Sequence, residues 1–232
     1  MSVISRKLTK VRKFPLWKQQ LCLIREVRER SRAPVDIEGC HAVADARVPK
    51  GLSDFYVLVA SLLSSQTKDA VVFAAMERLK SQGLTVDNVL KTEAGVLAAL
   101  IKPVGFYNRK ASYLKRICAV LRDSGRDEIP QTVKGLTQLP GIGPKMAYLI
   151  LNTVTDKAHG ICVDTHVHRI SNRLGWVKTK TPEQTRKALE SWLPKKYWVS
   201  TNKLIVGFGQ TVCKSRNPQC HTCPLRDICP SW

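Results

Sequence analysis

Apolar residues recur every three or four positions over most of residues 14–156. This spacing is typical of α-helices with one buried face, and the alternating runs typical of strands are scarce. Three faces stand out, and their members are Phe55, Val57, Leu58, Leu62 and Leu63; Val71, Val72, Ala75, Met76 and Leu79; and Tyr113, Leu114, Ile117 and Leu121. The pattern therefore predicts an all-α protein.

Further helices are predicted over residues 135–139, 144–154, 166–174 and 182–192. The last has the clearest start, because Thr181 can cap it, Pro182 suits the first helical position and Gln184 completes a capping box. Glycines and prolines separate the segments, and the sequence contains no internal repeat. We expect short helices joined by short turns.

The chain has 232 residues, enough for one large domain or two small ones. Its 38 Lys and Arg against 18 Asp and Glu give a net charge of +20, which makes a polyanion the expected partner. Residues 1–32 hold +8 of this charge, so the remainder keeps +12. The folded body itself is therefore expected to present a positive face, and a generally lysine-rich surface is the alternative.

No apolar run reaches the ~18 residues that a membrane span needs, so no membrane partner is expected. The first 13 residues, MSVISRKLTKVRK, contain no acidic group and no secretory hydrophobic region. This argues against export and allows a nuclear-import patch or a mitochondrial presequence. We expect the protein to be located in the nucleus, with the mitochondrion as a second location. In either compartment its cysteines would be in a reducing environment.

The eight cysteines divide into two groups. The scattered ones are interpreted as small core residues, and these are Cys22, Cys40, Cys118 and Cys162. The others have the spacing C-x6-C-x2-C-x5-C, and these are Cys213, Cys220, Cys223 and Cys229. Four thiolates suit a zinc ion or an iron–sulfur cluster, whereas two disulfides are disfavoured by a reducing compartment. Lys214 and Arg216, in the loop after Cys213, are candidate phosphate contacts.

Residues 139–145, with the sequence LPGIGPK, lie between two predicted helices. Gly141 and Gly143 permit a tight turn with positive φ and leave backbone N–H groups uncovered, while Pro144 suits the first turn of the second helix. Uncovered N–H groups at a helix N-terminus bind anions, and a nucleic-acid phosphate fits them. A plain helix–helix turn is the alternative, which the charge of the chain disfavours.

Two residues near this turn are candidates for chemistry. Lys145 directly follows the glycines, and a neutral amine there could attack a sugar carbon and form a Schiff base. Asp164 opens a predicted helix, where an N-cap role and an ionised carboxylate beside a forming oxocarbenium ion are compatible. His166 and His168 lie on different sides of that helix, which favours polar-core or DNA-facing roles over a shared metal.

The order of these motifs resembles endonuclease III, of the helix-hairpin-helix DNA glycosylase superfamily. Segments closer to its eukaryotic branch are SLLSSQTKD, PVGFY, DTHVHRISNRL and VGFGQ, starting at Ser61, Pro103, Asp164 and Val206. The resemblance implies an all-α fold of two lobes. Residues 50–155 would form a six-helix barrel with the helix-hairpin-helix at about 131–150. Residues 1–49, including a basic tail at 1–13, and 156–232 would form a lobe whose loop 213–229 binds a [4Fe-4S] cluster through the four cysteines.

The resemblance also implies a bifunctional DNA glycosylase and apurinic/apyrimidinic lyase. It would remove oxidised pyrimidines, such as thymine glycol and 5-hydroxycytosine, from duplex DNA and then cut 3′ to the abasic site by β-elimination. Lys145 would form the Schiff base and Asp164 would be the catalytic aspartate. Gln66 would fill the space left by the extruded nucleotide and Phe106 would wedge at the opposite strand, although Phe106 could also be a core residue.

Two other functions stay open at the level of sequence. A monofunctional adenine glycosylase could carry the same cluster, but the lysine in the hairpin argues against it. A non-catalytic DNA-binding module stabilised by zinc would reduce Lys145 to a surface residue and Asp164 to a cap. We expect the protein to act on DNA as a monomer.

Overall fold

The structure is a computed structural model that describes residues 16–125, 128–155 and 157–232. Over these ranges the chain is helical and contains no strand. The α-helices are α1 (Trp17–Arg30), α2 (Pro34–Glu38), α3 (Lys50–Ser64), α4 (Asp69–Ser81), α5 (Val86–Lys91), α6 (Ala94–Ile101), α7 (Tyr107–Asp123), α8 (Val133–Thr137), α9 (Pro144–Val154), α10 (Thr165–Arg173), α11 (Pro182–Glu190) and α12 (Trp198–Thr211). Short 3-10 helices lie at Cys40–Val43, Lys195–Tyr197, Cys220–Thr222 and Arg226–Ile228. The predicted all-α class is confirmed.

Helix α3 is the centre of the first of two hydrophobic cores. All its residues from Asp54 to Leu63 are buried, so it is enclosed on every side. The sequence pattern predicted one apolar face here, whereas a helix that is apolar all round must be surrounded by other elements. Helices α4, α7 and α9 and the 3-10 helix Cys40–Val43 supply these neighbours, and the first core takes in residues from Cys40 to Leu151.

The second core joins segments from both parts of the sequence that flank the first. Leu21 and Ile24 of α1 pack with residues that follow position 160, including Trp176, Leu189 and Phe208. Helix α12 packs against both α1 and α10. This core therefore forms the predicted lobe built from both sides of the barrel, while the residue limits of the two domains stay a prediction.

The predicted helix ends agree with the structure to within two residues. Helix α9 matches its prediction, and α10 and α11 are shifted or shortened at their ends. Helix α8 starts earlier than predicted because the hydroxyl of Thr132 accepts a hydrogen bond from the Gly135 amide at 3.1 Å. At α11 the Thr181 cap is present, but the Gln184 side chain accepts from the Lys180 amide instead of closing a capping box.

One prediction about the scattered cysteines is wrong. Cys40, Cys118 and Cys162 are buried, but Cys22 is exposed. The buried face of α1 consists of Gln20, Leu21, Ile24 and Arg28, which leaves Cys22 on the outer side of the helix. In the parts of the chain that the structure describes, no helix is long and apolar enough to cross a membrane.

Candidate functional site

The hairpin between α8 and α9 uses its two glycines differently. Gly141 has φ +80°, and a Cβ there would lie 2.5 Å from Cδ2 of Tyr113, so only glycine fits. Gly143 has φ −96° and caps α9, with Pro144 at the first helical position. The prediction of positive φ therefore holds for Gly141 alone. At Gly143 nothing lies within 4 Å of the position that a Cβ would take, so this side of the turn is open to a ligand.

Lys145 is exposed at the start of α9, where the first-turn amides lack helical acceptors. Its ammonium or amine thus stands beside the same backbone N–H groups that can bind a phosphate. The sequence placed Lys145 next to the hairpin, and the structure leaves the side chain free to reach a ligand bound there.

Asp164 is the N-cap of α10. Its Oδ1 accepts a hydrogen bond from the Val167 amide at 2.8 Å, as the sequence predicted. The residue is half-buried, so the second carboxylate oxygen can face the surface while the first is fixed. This hydrogen bond fixes the orientation of the carboxylate at the start of α10.

Lys145 and Asp164 both affect the pKa of one buried thiol, that of Cys162. Burial raises the pKa of Cys162 to about 12, while the positive charge of Lys145 opposes this shift and the negative charge of Asp164 adds to it. Burial also raises the pKa of Cys40, which is likewise influenced by Asp69 and Lys145. The two candidate catalytic residues therefore both lie close enough to the same buried cysteine to affect its pKa, although 19 positions separate them in the sequence.

His166 packs between α10 and α12. A Cβ at Gly209 would lie 2.5 Å from its Nδ1, so the imidazole lies against the α12 backbone. Burial lowers the pKa of His166, Arg169 lowers it further, and Asp164 and Asp69 oppose the shift. This placement agrees with the predicted polar-core role, and a DNA contact through His166 stays a prediction.

A hydrogen-bonded glutamine connects the two lobes close to these residues. The Gln210 Nε2 donates to Asp69 Oδ2 at 2.8 Å, and its Oε1 accepts from the Val35 amide at 3.0 Å. Gln210 thereby joins α12 to the start of α4 and to α2. Sequence reasoning did not assign a role to Asp69 or Gln210, because nothing in the sequence indicates a contact across 141 positions.

Gln66 and Phe106 lie in two loops that line one cavity. Both have left-handed backbones, with φ of 52° and 57°. The cavity has a volume of about 330 Å³ and is lined by Leu62, Ser65, Gln66, Phe106, Arg109, Lys110, Tyr113 and Gly141. Phe106 is 59% exposed, which rules out the core alternative for it. The structure thus brings both loop residues together with the hairpin glycine.

Lys110 is a residue of this region that sequence reasoning missed. It is 3% exposed, and its ammonium donates to the carbonyl oxygens of Leu63 at 2.7 Å and Ser65 at 2.6 Å and to the Thr67 hydroxyl at 3.2 Å. Burial lowers the pKa of Lys110 to about 8. The lysine therefore holds the turn that contains Gln66 from inside the protein.

The four clustered cysteines line a second cavity of about 160 Å³, at the predicted cluster loop. All four are free thiols, which contradicts the disulfide alternative. Burial raises the pKa of Cys223, and the other three thiols add to the shift, so all four lie close to one another. Arg173 of α10 donates to Sγ of Cys213 at 3.4 Å.

The four thiols can be compared with the needs of a zinc ion and of an iron–sulfur cluster. Zinc bound by thiolates at about 2.3 Å would hold them within one small tetrahedron. In the residues described, no group of three or more His, Cys, Asp or Glu side chains has single-ion geometry. A [4Fe-4S] cluster is held by four cysteine thiolates, and four thiols line this cavity. Lys214 and Arg216 are exposed on this loop.

Comparison with known proteins agrees with this geometry. Residues 59–195 match the model of the HhH-GPD superfamily of base excision DNA repair proteins, and residues 213–229 match the iron–sulfur binding domain of endonuclease III. Endonuclease III-like protein 1 of Gallus gallus is 49% identical over 93% of this chain and 77% of its own length. The chain belongs to the endonuclease III family.

Other members show the same relationship. Endonuclease III-like protein 1 of Mus musculus is 46% identical over 93% of this chain and 72% of its own length. A solved endonuclease III in a non-covalent complex with DNA matches with a TM-score of 0.78 and 29% identity, over 92% of this chain and 94% of that one. This endonuclease III family member is thus a DNA glycosylase of base excision repair. Its cofactor is a [4Fe-4S] cluster, which Cys213, Cys220, Cys223 and Cys229 would hold.

Proposed function

We propose that this enzyme is a bifunctional glycosylase and lyase that removes oxidised pyrimidines from duplex DNA and cuts 3′ to the abasic site. The observation that carries the proposal is that Lys145, at the start of α9 beside the uncovered amides of the hairpin, and Asp164, the N-cap of α10, both lie near the buried Cys162. A nucleophile, a carboxylate and a phosphate site in one place are what glycosidic bond cleavage followed by strand scission requires.

Lys145 is the nucleophile in the proposed reaction. The lone pair of its neutral Nζ attacks C1′ of the damaged nucleotide, and the base leaves with the electron pair of the glycosidic bond. Loss of the amine protons and opening of the sugar ring, with one proton passing to O4′, give a Schiff base. Removal of a C2′ proton then forms a C2′–C3′ double bond and expels the 3′ phosphate with the electrons of the C3′–O bond.

Asp164 supports the first step. As positive charge develops on the sugar, the carboxylate that the Val167 amide holds in position stabilises that charge and can accept a proton from the attacking amine. When the four cysteines hold the cluster, they would also order the loop that carries Lys214 and Arg216. Both cations would contact the DNA backbone.

Gln66 and Phe106 would act on the opened duplex. Extruding a nucleotide costs a few kcal/mol, and side chains that occupy the gap offset this cost. Both residues lie in exposed loops with left-handed backbones, so their side chains can enter the DNA without unfolding a helix.

Borohydride trapping on abasic-site DNA tests the lyase activity. We expect a covalent adduct with the wild-type enzyme and none with Lys145→Gln. Lys134→Gln is the matched control, because Lys134 is an exposed lysine of the same hairpin, in α8. A related endonuclease III has been solved as a trapped covalent intermediate with DNA, at 29% identity to this chain. An adduct that survives Lys145→Gln would refute the assignment.

Base release distinguishes the substrate classes. We expect release of thymine glycol and 5-hydroxycytosine from duplex DNA and no release of undamaged adenine from a mismatch. Release of adenine without strand scission would support a monofunctional adenine glycosylase instead. Equal amounts of enzyme, titrated by iron content, make the rates comparable.

We also propose that the enzyme works as a monomer in the nucleus, with the mitochondrion as a second compartment. The charge of the basic segment 1–13, which lies outside the described residues, supports either address. Light scattering of the free enzyme tests the first statement, and imaging of fusions with and without residues 1–13 tests the second.

A further inference from the structure

Arg109, Tyr113 and Arg116 form a strip along α7. The guanidinium carbons of Arg109 and Arg116 lie 5.7 Å and 6.0 Å from the centre of the Tyr113 ring. Arg109 Nε also donates to the Tyr113 hydroxyl at 3.0 Å. A guanidinium that stacks on an aromatic ring loses less freedom when it binds a ligand, because part of its orientation is already set.

The strip lies directly beside the hairpin. The close approach of Gly141 to the Tyr113 ring places the ring against the hairpin backbone. Arg109 and Tyr113 also line the cavity that contains Gln66 and Phe106. The strip therefore faces the same side of the molecule as the predicted DNA contacts.

Both arginines are available to a ligand. They are exposed, and within the described part of the chain no ion pair involves either of them. Arg122, on the same helix, differs because its guanidinium pairs with Asp87. Two oriented guanidinium groups without carboxylate partners match the geometry and charge of phosphate.

We infer that Arg109 and Arg116 form a second phosphodiester-binding site, separate from the hairpin amides, that binds the backbone of one DNA strand. Seven residues of helix place the two arginines about 10 Å apart along α7. Phosphates of one strand follow every 3.4 Å or so along the duplex axis, so the pair spans about three of them. The inference rests on the proposed function, because it assumes that duplex DNA covers this face.

The salt dependence of binding tests the inference. Affinity for a duplex with a stable abasic-site analogue is measured at several salt concentrations for the wild type and for Arg109→Ala/Arg116→Ala. Each lost phosphate contact reduces the slope of log K against log salt by about 0.9, so we expect a reduction of about 1.8 in the double variant. We also expect affinity to fall about tenfold or more at roughly 0.1 M salt.

A double variant with the wild-type slope would overturn the inference. Arg122→Ala controls for the loss of a positive charge on the same helix, and we expect its slope to be unchanged. Circular dichroism confirms that the variants are folded. If the wild type forms the covalent adduct with abasic-site DNA and the double variant keeps the wild-type salt dependence of binding, only this inference fails. If the wild type does not bind the duplex, the proposed function fails first.

Neutral methylphosphonates, placed singly along each strand, identify the strand that is bound. On the contacted strand, a neutral group at either of two positions should remove about half of the difference in log affinity between the wild type and the double variant, because each arginine contacts its own phosphate. The inference holds whichever strand shows this effect. If no position on either strand reduces the difference, the arginines do not bind phosphates directly and the inference is overturned.

Discussion

The ammonium of Lys110 donates a hydrogen bond of 2.6 Å to the carbonyl oxygen of Ser65, the residue directly before Gln66. Gln66 has a left-handed backbone, which costs a non-glycine residue free energy and persists only where the surroundings enforce it. The loop that contains Phe106 also contacts this turn, since the Gly105 amide donates a hydrogen bond to the Thr67 hydroxyl at 3.1 Å. Lys110 and Gly105 together hold Gln66 in place.

Stability should rise with pH because of Lys110. Its folded-state pKa of about 8 lies below the ordinary value of 10.5, so between these values the unfolded chain binds a proton that the folded protein has released. The contribution of Lys110 is therefore complete above pH 10.5 and is lost as pH falls through about 8, by at most about 3 kcal/mol. Denaturation of the wild type and of Lys110→Met across this range should show the rise only in the wild type.

Lys115→Met is the control for this pH effect. Lys115 lies on the same helix and donates to the carbonyl oxygens of Leu90 and Thr92, away from the Gln66 turn. We expect this variant to keep the rise that Lys110 causes. An equal rise in Lys110→Met would contradict the explanation.

The two hairpin glycines should respond differently to alanine. In Gly141→Ala, positive φ and the contact with Tyr113 should lower the free energy of unfolding by about 1–3 kcal/mol. In Gly143→Ala, stability should change by less than about 0.5 kcal/mol, because φ is ordinary and the space is open. The new methyl group should nevertheless weaken DNA binding by standing between the hairpin amides and a phosphate. Urea denaturation and DNA titration of both variants measure these effects.

Replacement of Asp164 separates its cap from its charge. Asparagine caps helices as well as aspartate does, so Asp164→Asn should keep the stability of the wild type and lose base release. Asp164→Ala should lose base release and about 1 kcal/mol of stability. Full base release by the asparagine variant would mean that Asp164 is a cap only.

The cluster should depend on the loop cysteines and not on the buried cysteine of the barrel. Cys223→Ala should lose bound iron and the visible absorption of the cluster, because Cys223 lines the cluster cavity. Cys118→Ala should retain both, because Cys118 is buried in the barrel core. Iron analysis of the purified variants distinguishes the two results, and iron retained in Cys223→Ala would argue against this ligand.

Sequence patterns were most informative where the cause is local. Helical periodicity predicted α9 within its observed limits, and the capping residues Thr181 and Asp164 were recognised from the sequence. A cap acts within one turn, so its signal lies within four residues. The C-x6-C-x2-C-x5-C spacing likewise predicted a group of four ligands that the structure brings together.

The sequence by itself determined the all-α class, the hairpin, the four clustered thiols and the candidates Lys145 and Asp164. Only the tertiary structure decided which charged residues are buried and which apolar ones are exposed. Lys110 has the sequence context of a surface lysine, and its role depends on carbonyl oxygens 45 and 47 positions away. Phe106 has an apolar side chain of the kind usually found in a core, but its left-handed backbone conformation places it at the surface. Such placements come from packing between distant segments, and no local pattern records that packing.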